Sequence, residues 1–164
     1  MEYKRLSENS KKTWFIARAI TTIIVSAVLI GGKCFLLSKF KFSGDTEWNL
    51  VINIVIAIII GLLLLNTFIY PKIEYKQWRY MITKDKIEFS EGIYYITTTI
   101  VPIVRVQHIK VNQGPINRMY KLADLHIYTA GGSHRIPNIE VEKAEEISSY
   151  LKDKIREKVE QNDR

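Results

Sequence analysis

From Leu50 to Tyr70 the chain runs through 21 residues without a charge, and Pro71 and Lys72 follow at once. A helix of that length rises about 31 Å, against a bilayer hydrocarbon core of about 30 Å. The pattern predicts a membrane-spanning helix over 50–70. An earlier apolar run, Trp14 to Leu37, holds the charges Arg18 and Lys33, each near an end. Their long stems can return the charged heads to the headgroup layer. This run predicts a first span over 14–37. It is longer than the apolar core of a secretory signal, and no small-x-small cleavage site follows it, so it reads as retained. Ser38 to Asn49, with Gly44 as its turn residue, joins the spans into an antiparallel hairpin. Trp14 and Tyr70 then fall at one interface and Trp48 at the other.

After Pro71 the pattern changes to alternation, the mark of half-buried strands. Trp78, Tyr80 and Ile82 alternate with Gln77, Arg79 and Met81; Ile87 and Phe89 alternate with Lys86, Glu88 and Ser90. Thr83-Lys84-Asp85 and Glu91-Gly92 supply turns. A β-branched and aromatic stretch, Ile93 to Val101, reads as the next strand, stopped by Pro102. Arg105–Gln113 and Asp124–Thr129 alternate again, and Gly131-Gly132 turns into a short strand over His134–Ile136. Last comes a helix. Ala144, Ile147, Leu151, Ile155 and Val159 form one apolar stripe, with acids at its start, bases at its end and Asn138 as N-cap.

The charge supports this division. Of the net +7, +4 lies before Pro71 and +3 after it. Lys4, Arg5, Lys11, Lys12 and Arg18 flank the first span, and Lys72, Lys76 and Arg79 follow the second, so both ends are expected in the cytoplasm. The plan is a tail over 1–13, a hairpin over 14–70 and a cytoplasmic β domain over 71–164. Without a basic stripe or binding motif, the charge suits an anionic leaflet rather than nucleic acid. Cys34 is alone, so no disulfide forms within the chain.

The order of the pieces resembles a known family. The spans are followed by Trp78-Arg79-Tyr80-x-Ile82-Thr83, Gly92-Ile93, Val101-Pro102 and Arg105-Val106-Gln107-His108-Ile109. After these come Gln113-Gly114-Pro115, Leu125-x-Ile127-Tyr128-Thr129-Ala130-Gly131 and Ile136-Pro137. This is similar to the bacterial membrane proteins with a pleckstrin-homology-like (PH-like) domain, the YdbS-type group, over nearly the whole chain. The resemblance implies a membrane-anchored α+β protein: a two-helix hairpin, then an antiparallel β sandwich or partly open barrel with a C-terminal capping helix. It implies a bacterial plasma-membrane location, and a larger relative carrying several copies of the domain as partner. Such domains usually have seven strands, and the pattern supplies six. Either Ile93–Val101 is split, or a strand lies near Met119.

Candidate chemistry is sparse. Arg105, Gln107, His108 and Gln113 form the densest polar group, a place for a partner or ligand, or for satisfying carbonyls where the chain bends after Pro102. Arg79, Arg118, Lys121 and Arg135 are candidates for anionic headgroups, with solvated surface as the plainer role. In the membrane, Asn53, Ala57 and Gly61 recur every four residues, as do Thr22 and Ser26 on the first span; such residues permit close helix packing or recruit another membrane protein. His126 and His134 would begin a metal site if they faced each other across their hairpin, but no assured third ligand accompanies them. No catalytic residue, cofactor or metal site is assigned, and the chain reads as a non-enzyme. The expected function is a membrane-anchored interaction module that binds a membrane protein, or a second copy of itself, and anionic lipid. The alternative is an accessory subunit of a transport, export or stress-resistance complex.

Overall fold

The computed structural model describes residues 3–40 and 46–162, so Gly44 lies outside the described residues. The chain divides into two compact units. One takes the residues up to Thr13 and from Lys72 onward, and the other is Trp14–Pro71.

In the first unit the alternating stretches become two antiparallel sheets. One runs β1 (Lys4–Arg5), β2 (Arg79–Ile82), β3 (Lys86–Glu91), β4 (Thr97–Pro102); the other runs β5 (Val106–Asn112), β6 (Leu122–Thr129), β7 (Gly132–Glu140). Tyr80, Ile87, Phe89 and Val101 from the first sheet are buried, as are Val106, Leu125, Ile127 and Ile136 from the second. Two inward faces thus make one core, as a sandwich requires.

The seventh strand comes from neither place anticipated. Met119 ends a short helix, α3 (Pro115–Met119), and the missing strand is β1, from the segment expected as a tail. Lys4 pairs with Tyr80 and Arg5 with Arg79. Leu6 is buried, and Ser10 Oγ donates to the carbonyl of Asn138 at 3.0 Å. A two-residue strand has too little alternation to register as a pattern.

The stretch read as one strand from Ile93 is a loop up to Ile96, and β4 begins at Thr97. Gly92 sets this loop. Its φ is +125°, and a Cβ there would stand 1.8 Å from the carbonyl oxygen of Tyr95. Only glycine lets the chain double back so closely.

The final helix, α4 (Val141–Asn162), buries Ala144, Ser148 and Leu151 and packs on β5, β6, β7 and the 3-10 turn Ile103–Arg105. Asn138 is not its N-cap. It lies within β7 at φ +51°, where its N–H donates to Asp124 Oδ1 at 2.9 Å. Asparagine tolerates that left-handed conformation better than most residues.

The second unit holds most of the hairpin of α1 (Ser10–Phe40) and α2 (Thr46–Gln77), helices 31 and 32 residues long whose outer ends belong to the first unit. Both pass the length and composition expected of a span. Ile23, Val28, Leu62, Leu65 and Phe68 are exposed, which suits a lipid surround and not water. Pro71 does not stop α2. It removes one N–H from the helical ladder, and the helix continues to Gln77, burying Tyr75 just before the buried Trp78.

The helices meet through Thr22 and Thr67, whose hydroxyls lie 2.9 Å apart, through the Phe15–Phe68 ring pair and through Lys33 with Asn53. Thr22 is buried, Ser26 half-buried and Ala57 exposed, while a Cβ on Gly61 would meet open space. The four-residue stripe of Asn53, Ala57 and Gly61 therefore does not form the seam as a set. Steps of four drift around a helix, whereas Ile56, Ile60, Leu63, Thr67 and Tyr70 alternate steps of four and three and stay on one side.

Candidate interaction surface

The polar candidates fall on separate surfaces of the β unit. The first is the corner where the sheets part. Pro102 closes β4, and the 3-10 turn is tied back by the Ile103 N–H, which donates to the carbonyl of Asp85 at 2.9 Å. Ile103 is buried there, so Val104 and Arg105 are thrown outward. The register slips between Val106 and His108, which leaves Gln107 outside the ladder to β6. A cavity of about 560 Å³ opens beside them, lined by Ile100, Val104, Arg105, Gln107, Thr129 and His134 among others. Arg105 and Gln107 are exposed. Neither side chain hydrogen-bonds to the described residues. Bonding to backbone carbonyls at the bend therefore does not account for them.

The second surface is the outer face of the second sheet. His108 stacks on Tyr128 with ring centroids 4.2 Å apart and planes 11° from parallel. Lys110 Nζ stands 5.4 Å from the Tyr128 ring, and His126 flanks it at 6.3 Å. Arg135 donates to Asp124 Oδ2 at 2.9 Å, so this candidate cation is already engaged.

The third surface is a depression of about 580 Å³ that brings Gln113, Arg118 and Lys121 together with Ser7, Asn9, Glu140 and Glu142. Gln113 donates to the carbonyl of Leu122 at 2.9 Å, and the carbonyl of Lys121 accepts from the Val141 N–H at 3.1 Å. Both residues do structural work, and the two glutamates make this a mixed-charge hollow. Arg79 stands apart from all three, exposed on β2 beside Arg5.

The two histidines do not converge. His134 is registered with Ile127, one position from the Arg135 opposite His126, so they project from opposite faces. His134 lies against Phe89 at 5.6 Å. No group of three potential ligands forms among the described residues.

One ionic cluster is not legible in the sequence, because Tyr3 lies 85 residues from Glu88. Tyr3 donates to Glu88, and Lys86 Nζ meets the other carboxylate oxygen at 2.8 Å. The Lys86 ammonium and the Tyr3 hydroxyl hold the Glu88 carboxyl below its ordinary value, and Glu88 in turn raises Lys86 and Tyr3. A smaller cavity, about 220 Å³, lies among Tyr80, Lys143, Glu146, Ile147 and Tyr150. Burial pushes the Tyr80 hydroxyl upward there.

A family model described as the bacterial PH domain matches residues 15–155. The chain is 33% identical over 148 residues to the UPF0699 transmembrane protein YdbS of Bacillus subtilis (strain 168), covering 90% of this chain and 89% of that protein. It is 28% identical over 99 residues to the UPF0699 transmembrane protein YdbT of the same organism, covering 58% of this chain and 20% of that protein. No solved structure matches it significantly.

Proposed function

Because this chain belongs to the bacterial PH domain family, we propose that it is a non-enzymatic interaction module, anchored in the plasma membrane by α1 and α2 with both ends in the cytoplasm. Its β unit docks a partner protein at the corner between β4 and β5. The observation that carries this is the exposed pair Arg105 and Gln107, without side-chain bonds to the described residues, beside the apolar Ile100 and Val104. The outer edge of β4 has no strand partner among the described residues, and such edges accept an added strand from another chain. The partner is a membrane protein. A larger relative of the YdbT kind and a second copy of this chain are the two candidates. Lys72, Lys76 and Arg79, following the apolar run, favour the anionic leaflet. An accessory role in transport would put Lys33 on a path, but its ammonium is engaged by Asn53 within the hairpin.

A photo-reactive amino acid at Ile100, in cells grown for membrane isolation, tests the proposal. It should give a discrete adduct with a membrane protein, and Arg105→Glu should abolish it. If position 100 cross-links no more than the same probe at Asn112, exposed at the far end of β5, the docking corner is wrong.

A further inference from the structure

One apolar feature of the β unit is unused by that docking corner. The loop between β3 and β4 presents Tyr94, Tyr95 and Ile96 at 79%, 87% and 61% exposure. Three consecutive large side chains so open to solvent are costly in water. The topology shows which end of the sheet they share. Arg5, Arg79, Ser90 and Thr98 lie in one row across the first sheet. From that row the chain leaves β1 toward α1, and it arrives there from α2 into β2. The β3–β4 loop closes over the same end of the sheet. The opposite end carries the β2–β3 turn at Lys84 and Asp85.

The loop is also fastened to the incoming chain. Gln77 Nε2 donates to the carbonyl of Ile93 at 2.9 Å. Gln77 ends α2 and stands seven residues beyond Tyr70, the last residue of the uncharged run. The cations on this stretch and row, Lys72, Lys76, Arg79 and Arg5, are those an anionic headgroup layer attracts. Tyrosine is the residue type that settles at the membrane–water interface, with its ring among the acyl boundary and its hydroxyl in the headgroups.

We propose that the Tyr94-Tyr95-Ile96 loop is an interfacial membrane anchor, seated in the headgroup region of the bilayer that the hairpin spans. It rests on the hairpin being inserted, and not on the docking corner. The loop holds the β unit against the leaflet at a contact additional to the two chain connections. Gly92 gives it its tight base, with the Tyr95 carbonyl standing where a Cβ would be.

The test uses the full chain in nanodiscs of mixed phosphatidylcholine and phosphatidylglycerol, with an environment-sensitive fluorophore on a single cysteine. Tyr95→Cys in a Cys34→Ser background reports on the loop. Lys84→Cys in the same background reports on the far end of the sheet. Labelled native Cys34 reports on the hairpin itself. With lipids that carry a shallow spin label, position 95 should lose most of its emission, position 84 should not change, and Cys34 should be quenched. If Cys34 is quenched while position 95 keeps a water-exposed, unquenched spectrum, the anchor is refuted and the hairpin stands. A blue-shifted but unquenched label at position 95 would mean that a second copy of the protein covers the loop, which also refutes it. An unquenched Cys34 would remove the hairpin and the anchor together.

Discussion

Ser10 and Asn138 are joined by a buried hydrogen bond of 3.0 Å, the hydroxyl of the first donating to the backbone carbonyl of the second. The bond ties the first turn of α1 to a non-glycine residue of β7 with left-handed backbone. Asn138→Val forces a β-branched residue into that conformation, at a cost of about 1–2 kcal/mol, whereas Asn138→Gly avoids the strain. The valine variant should melt below the glycine variant in thermal unfolding in mild detergent. Equal melting temperatures would show that the left-handed backbone is not what asparagine serves.

Asp124 accepts from the backbone of Asn138 and from Arg135, each at 2.9 Å. Its side chain is only 14% exposed, while that of Arg135 is 51% exposed. Removing the carboxylate strands a buried N–H, and removing the guanidinium frees an exposed pair. Asp124→Ala should therefore cost about 1–3 kcal/mol and Arg135→Ala below about 1 kcal/mol. Chemical denaturation of the two variants measures the difference, and comparable losses would contradict this assignment.

The cluster of Tyr3, Glu88 and Lys86 sets a pH window for the attachment of β1. Glu88 is held below its ordinary value of 4.5, so its contribution is present above that pH and is lost as pH falls through the lowered value. Tyr3 and Lys86 are raised above 10.0 and 10.5, so theirs are present below those values and are lost as pH rises through the raised ones. Amide exchange at Lys4 and Arg5 should be slowest between about pH 5 and 10, after correction for intrinsic rates. Glu88→Gln should flatten the acid limb. An unchanged acid limb would remove Glu88 from this role.

Between the helices, the hydroxyls of Thr22 and Thr67 form a buried polar contact. A double-mutant cycle with Thr22→Val and Thr67→Val should give a coupling of about 0.6 kcal/mol, with about 1.7 as the upper range for such bonds. Ala57→Val, on an exposed position, should leave helix association unchanged. A large effect there would show that the small residues form a contact after all.

What the sequence made legible was whatever repeats. The two apolar runs, the inward faces of Tyr80, Ile87, Phe89, Leu125 and Ile127, and the stripe of α4 through Ala144 and Leu151 all appear where the periodicity put them. Family motifs carried the sandwich. Single positions were not legible. Lys4 and Arg5 gave no strand signal, because their strand exists only through its pairing with β2. Asn138 looked like a cap because it precedes the acidic start of α4, yet its backbone belongs to β7. Tyr94 and Tyr95 have strand-forming side chains, and it is the reversal at Gly92 that puts them in a loop. The candidate cations lie apart because like side chains along a chain need not share a face. Arg105 lies at the open corner, Arg118 in the mixed-charge hollow, and Arg135 is paired.

The strand pairing of Lys4 and Arg5 with β2 makes the apolar hairpin an insertion inside a β domain. The domain is sewn from two stretches of chain with two long apolar helices between them. A soluble fragment begun after Pro71 would present β2 as a raw edge and lack Leu6 from its core. During synthesis the first strand must wait until the rest of its sheet has been made, so the fold is completed only after both apolar helices have been synthesised.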